Sequence, residues 1–407
     1  MAIDNKDKKV LKSSIEREQN EVACSAECEK IKGSKNLNVP HLRFPEFNGE
    51  WETKLINDLA VVIGGGTPDT TIKSYWDGEI QWFTPSEIGK NKYVDSSLRT
   101  ITEEGLNNSS AKLLPPNTIL LSSRATIGEC SLSLRECATN QGFQSLVSKK
   151  CYVDFLYYLI QTKKRDLIRK SCGSTFLEIS ANEVRKIQVS VPTDVEQQKI
   201  AGLLSLIDER IATQNKIIDK LQSLIKGISN KIFATIQGIE YRMGNIVTIS
   251  NGNSNVQDAV TESKDGLYPF FDRSEDIKYL PTFLFDKEAI IYPGEGAEFM
   301  PRYFRGKFAL HQRCYAIFDF KEIINAQFLY FYLKTQNSYF VRNAVGSTVP
   351  SLRLDTFQKL KVIIPPKKIQ HSVSLCLSSM EQKCNVEKDI LQKLLKQKQY
   401  LLRQMFI

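Results

Sequence analysis

Two long stretches of this chain carry apolar residues at alternating spacings of four and three. The first places them at Ile200, Leu204, Ile207, Ile211, Ile218, Leu221, Ile225, Ile228 and Ile232, with polar Gln214 in the one remaining slot. The second runs through Val373, Leu377, Met380, Cys384, Leu391, Leu394, Leu401 and Met405, with Lys398 in one slot and Glu387 in the slot that corresponds to Gln214. A pattern of this kind held over about five heptads predicts coiled-coil helices that bury a narrow seam against a partner. Each stretch follows a short β-type run stopped by proline, KIQVSVP (186–192) and KLKVIIP (359–365).

These parallels belong to an internal repeat. With an offset of 173, VDFLYYLIQTKKRDLIRKSCGST (153–175) falls on AQFLYFYLKTQNSYFVRNAVGST (326–348), and the match continues ungapped through both proline-stopped runs into both helices. The starts of the copies also agree at a different offset, WETKLINDLAVVIGGGTP (51–68) against EYRMGNIVTISNGNSN (240–255). The middles, 67–150 and 253–325, keep only echoes such as ATNQGF (138–143) against ALHQRC (309–314). The repeat implies pseudo-twofold symmetry. Antiparallel helices then bring equivalent positions together only at the axis, so Gln214 and Glu387 are predicted to face each other as a polar layer that fixes register.

The chain has 407 residues, a net charge of +9 and a pI near 8.9, which suits a polyanionic partner such as nucleic acid without demanding one. Nine Cys without regular spacing and three His make a zinc or His-rich centre a poor reading, Cys24 and Cys28 being the one close pair. The polar start is no signal peptide and no apolar run is long enough to span a bilayer, so a cytoplasmic protein is expected. Catalytic motifs are sparse. Gly64, Gly65 and Gly66 lack the Lys-Ser/Thr of a phosphate-binding loop. Pro68-Asp69 with Glu79-Ile80-Gln81 suggests a nuclease centre only faintly, because Gln81 stands where a lysine is wanted.

Groups suited to nucleic acid gather in the divergent middles. Thr67, Lys73, Trp76, Gln81, Thr84, Ser86, Lys90, Lys92, Arg124, Asn140 and Gln141 form one set. Arg273, Arg302, Arg305, Lys307, Gln312 and Arg313 form the other. Arg, Asn and Gln can read base edges bidentately, while Lys, Ser and Thr hold phosphates. Each alone is more often an ordinary surface residue, and Trp76 more often a core one; the argument rests on their clustering.

The pattern resembles the specificity subunit of type I restriction–modification systems. The residues that carry it are IGGGTPDT (63–70), SYWDGEIQWFTPSEIG (74–89), GSTFLEISANEVRKIQVSVP (173–192), EQQKIAGLLSLIDERI (196–211) and GSTVPSLRLDTFQKLKVIIPP (346–366). The second copy departs in keeping only Gln370 of the QQ pair and in reading SNGN where the first has GGGT. The resemblance implies a mixed α+β (α/β) chain with two pseudo-twofold-related target-recognition domains joined by two long antiparallel coiled-coil helices. The expected division is a flexible polar arm over 1–40, domains over 41–193 and 238–366, and spacer helices over 194–237 and 367–407. It implies a subunit without catalysis of its own. Each domain would read half of a split site in double-stranded DNA. Methyltransferase subunits would bring S-adenosylmethionine, and motor-nuclease subunits ATP and Mg²⁺. The alternatives are a stand-alone methyltransferase or nuclease, which would modify DNA unaided, and a protein-only coiled-coil adaptor, which would not bind DNA.

Overall fold

The structure, a computed structural model, describes residues 38–173 and 177–407. The arm expected over 1–40, the Cys24/Cys28 pair and the repeat residues Ser174 and Thr175 lie outside the described residues, except for the arm's last three positions. Those three correct the boundary. The Asn38 amide donates to Trp51 O at 2.6 Å and its Oδ1 accepts from Ser190 Oγ at 2.8 Å, and Pro40 is buried. The folded body therefore includes residues 38–40.

Each domain packs a buried helix on β-structure, one six-stranded sheet in the second domain and two smaller sheets in the first. In the second domain six strands run in the order Thr248–Asn251, Cys314–Phe318, Phe285–Pro293, Arg302–Leu310, Tyr268–Phe271 and Lys278–Leu280. The first domain has the same order cut in two. Ala60–Gly64, Gln144–Ser148, Ile119–Leu121, Cys130–Ser133 and Tyr93–Val94 form one sheet, and Cys137–Thr139, Trp76–Phe83 and Arg99–Ile101 the other. Register shows the equivalence. Ile119 pairs with Leu132 as Ile290 pairs with Tyr303, and Trp82 runs parallel to Ala138 as Phe270 does to Ala309. One strand of the second domain, Arg302–Leu310, is thus split in the first between Ser133 and Cys137, where Leu134 is exposed and Arg135 turns out to pair with Asp95.

The apolar runs FLYYLI (155–160) and FLYFYL (328–333) form the helices Val153–Thr162 and Ala326–Lys334. Their sequences are apolar almost all round because each lies between its sheet and a spacer helix; Phe155, Leu156 and Leu159 are fully buried, as are Phe328, Leu329 and Leu333. A two-stranded ribbon brings each domain's entry and exit together, Glu52–Leu55 with Gln188–Val191 and Ile239–Arg242 with Lys361–Ile364. Proline then ends each ribbon, and the spacer helices follow as Asp194–Thr235 and Lys367–Gln404.

The spacer helices are antiparallel. Asp208 meets Lys398 at 2.7 Å, and Gln214 Nε2 donates to Glu387 Oε2 at 2.5 Å and Glu387 O at 3.0 Å. The polar layer therefore faces inward at the axis as the repeat requires. Lys383 and Gln214 hold the Glu387 carboxyl below its ordinary range, Lys383 contributing most. Each helix starts on its own domain and ends in the other. Phe233 packs edge-on against Phe328 and Tyr332 at 5.5 Å, and Phe406 stacks on Phe155 at 5.2 Å. Positions 233 and 406 are again 173 apart. Their neighbours Ile232 and Met405, which the heptad pattern places in the seam, pack against the same two cores, Met405 buried and Ile232 half-buried.

Candidate nucleic-acid interface

One edge is built alike in both domains from three segments. In the first, the glycine turn lies against Thr139–Asn140: Gly66 N donates to Thr139 O at 2.8 Å and Asn140 N to Phe83 O at 3.1 Å. In the second, Asn253 N donates to Leu310 O at 3.1 Å and His311 N to Phe271 O at 2.9 Å. Gly65 and Gly252 are obligatory for this approach, since a Cβ on either would come within 2.0 Å of a backbone oxygen, that of Asn140 or of Leu310. The equivalence aligns Phe83-Thr84-Pro85-Ser86-Glu87 with Phe271-Asp272-Arg273-Ser274-Glu275.

Several of the groups singled out from sequence sit at these edges. Thr67 is exposed and donates to the exposed Gln141. Asn140 Oδ1 accepts from Gly142 N at 2.9 Å, which orients the loop. Thr84 and Ser86 share a hydrogen bond of 3.0 Å, with Glu87 closing the turn on Thr84 N at 2.7 Å. In the second domain Arg273 and Gln312 are exposed, and Gln312 N donates to Ser254 O at 3.2 Å. Beneath Arg273, burial favours the neutral form of Asp272, but Lys278 at 2.7 Å and the Ser274 hydroxyl and backbone outweigh it and hold the carboxyl below its usual range. Burial lowers the His311 imidazole, and Arg313 and Arg273 act in the same direction.

The remaining candidates are placed differently. Lys73, on the short 3-10 helix Lys73–Tyr75, and Lys90, on a loop, are exposed, as are Arg305 and Lys307 on the strand Arg302–Leu310, with Lys307 over the Phe283 ring at 4.9 Å. Arg124 pairs with Glu178 at 2.7 Å and Arg313 with Glu295 at 2.8 Å, both on the surface. Four candidates need correction as direct contacts. The Lys92 amine is buried away from the edge, where it pairs with Asp154 and donates to Ser205 Oγ of the first spacer helix at 2.7 Å. Trp76 is a core residue. Its Nε1 donates to Asp69 O, its ring meets Trp82 edge-on at 5.2 Å, and the Arg99 guanidinium covers it at 3.5 Å. Gln81 Oε1 is taken by Ser97 N at 2.7 Å. Arg302 donates to Ser274 O and so supports the edge from below. The faint nuclease constellation does not converge, because Asp69 accepts from Thr71 at 2.9 Å while Gln81 is held by Ser97.

Sequence reasoning missed Asp272 and Ser274, and took Lys278 and Arg302 for nucleic-acid contacts where they support the edge. A signal existed, FTPSE (83–87) against FDRSE (271–275), but its offset of 188 differs from that of the flanking repeat.

Two similar sheets with matched edges, at opposite ends of a rigid helical pair, define a bipartite reader with a fixed separation. Comparison with known proteins gives the class its family. The family model described as type I restriction modification DNA specificity domain matches residues 48–223 and 239–396, and the chain belongs to that family. The MjaIX type I restriction enzyme specificity subunit of Methanocaldococcus jannaschii is 30% identical over 389 residues, covering 84% of this chain and 89% of the relative. The type I restriction–modification S subunit of M. genitalium has the same fold, with a TM-score of 0.59 at 18% identity over 91% of this chain and 99% of that one. A chain from a type I restriction–modification assembly study matches with a TM-score of 0.54 at 14% identity, over 86% of this chain and 96% of that one. Among the described residues no helix is long and apolar enough to cross a membrane.

Proposed function

We propose that this chain is the non-catalytic DNA-recognition subunit of a type I restriction–modification complex, and that each domain reads one half of a bipartite site. The observation that carries this reading is the matched edge: two surfaces of the same backbone construction present different side chains. Thr67, Thr84, Ser86, Asn140 and Gln141 form the first reader, and Arg273 and Gln312 the core of the second, with Arg313 beside them paired to Glu295. Lys73, Lys90, Arg124, Arg305 and Lys307 hold phosphates around them. Backbone hydrogen bonds set the edges, so side chains there can change without unmaking the sheet.

The spacer helices supply the second requirement. The first has 42 residues and at 1.5 Å per residue is about 63 Å long. A stiff pair of that length holds two readers at a defined separation on a duplex, whereas a flexible linker would spread them and lower their effective concentration. The chemistry belongs to partners of stated kinds: methyltransferase subunits that bind S-adenosylmethionine and motor-nuclease subunits that use ATP and Mg²⁺, docked on the helices in the cytoplasm. Methylome sequencing of a host expressing the complete complex tests this reading. The expected result is one motif of two short specified halves around an unspecified spacer of constant length; a continuous motif, or none, overturns it.

A further inference from the structure

Each spacer helix leaves its domain through a buried glutamine, and the two glutamines are equivalent in the repeat. Gln197, 3% exposed, accepts from Tyr152 N at 2.9 Å and Cys151 Sγ at 3.3 Å, and its Nε2 donates to Pro192 O at 3.0 Å and Asp194 Oδ1 at 3.3 Å. Gln370, 0% exposed, accepts from Asn325 N at 2.7 Å and donates to Ile323 O and Pro365 O, both at 2.8 Å. Tyr152 and Asn325, and Pro192 and Pro365, are themselves 173 apart. In both domains one side chain therefore binds three segments: the residue that opens the buried helix, the proline that ends the ribbon, and the first turn of the spacer helix.

We infer that Gln197 and Gln370 are positioning residues that set the angle between each reading domain and the spacer, and so restrict the complex to one spacer length. This inference rests on the function proposed above. Each domain is further fixed to the spacer pair by an aromatic plug, Phe406 in the first domain and Phe233 in the second, and by polar contacts that differ between the domains, Lys92 with Ser205 in the first and Lys334 with Glu381 in the second. An aromatic contact resists separation but tolerates rotation, because ring packing has broad minima. A satisfied amide has directional bonds on both its nitrogen and its oxygen, and so opposes rotation about the plug. Replacing it leaves a buried N–H and buried carbonyls without partners, a cost the domain reduces by tilting until water reaches them. A tilt displaces the whole edge relative to the other domain and leaves its internal hydrogen bonds intact. The half-site bases should therefore stay the same while the spacer becomes less restricted, from either end.

The test uses Gln370→Met, Gln197→Met and Gln370→Glu, which keeps an acceptor for Asn325 N but sets a carboxyl against the Ile323 and Pro365 carbonyls. In the complete complex, methylation at sites with a spacer one base pair longer or shorter should rise about tenfold relative to the parent motif, with both half-sites unchanged. An unaltered spacer in a folded, active variant overturns the inference, as does a change of half-site bases. A second measurement needs no DNA. Spin labels carried by non-canonical amino acids at positions 73 and 262 of the full chain should give a broader interdomain distance distribution in each variant. If the parent motif is not bipartite, the proposed function fails, and the distance distribution still judges the clamp. Failure of all three variants to fold would mark the glutamines as folding determinants and also overturn the inference.

Discussion

The two reading domains share a strand order and differ at the edge, while the two junctions with the spacer match closely. Thr84-Pro85-Ser86 in one domain is Asp272-Arg273-Ser274 in the other, and Asn140 is replaced by His311. At the junctions the same glutamine binds the same three segments, and Phe406 on Phe155 repeats Phe233 on Phe328. The difference follows from what holds each region. Edges are set by backbone hydrogen bonds and two tight glycines, so their exposed side chains are free to vary. Junctions are set by buried amides and interlocked rings, where a substitution strands a polar group or opens a cavity.

The largest expected effect separates junction from edge inside the first domain. Lys92→Met should lower stability by about 2–3 kcal/mol, less than for a fully buried pair because Asp154 keeps 18% of its side chain exposed. The methylated motif should stay the same. Thermal melting and methylome sequencing check this, and lost recognition at unchanged stability would return Lys92 to the reading surface. At the second edge, Arg273→Ala should weaken discrimination at one position of one half-site by about 1–3 kcal/mol. Competition binding with single-base variants of the site reads it; uniform loss across all bases would make Arg273 a phosphate contact instead.

Smaller effects sit at the axis. Replacing the polar layer with Gln214→Leu and Glu387→Leu should raise the melting temperature, because an apolar layer joins the seam, while allowing alternative registers. A lower melting temperature would contradict that balance. The smallest effect is acid sensitivity. The folded Glu387 carboxyl is held below its unfolded value, so its contribution is present above the ordinary carboxylate range and is lost as pH falls through the depressed folded value. The leucine pair should therefore flatten the acid limb of a melting-temperature profile, and identical limbs would show that Glu387 contributes nothing there.

The helices and the repeat were legible because heptads and an ungapped offset survive in plain sequence. Gln214 opposite Glu387 followed from symmetry alone. The edges were less legible, because loops of unequal length shift the offset from 173 to 188 around FTPSE and FDRSE, and the two pentapeptides share only Phe, Ser and Glu. Lys92 could not be read at all. Its neighbours are those of a surface lysine, and only the fold brings Ser205, 113 residues away, to its amine. Trp76 misled for a related reason, since an aromatic that stacks on bases and one that packs a small sheet have the same local sequence.

Independence of the two readers is the central claim, and exchange of one reader tests it most directly. Residues 50–192 replaced by the corresponding domain of a relative, in an otherwise unchanged complex, should change one half of the methylated motif and leave the other half and the spacer as they were. A motif altered in both halves, or in neither, would contradict the account.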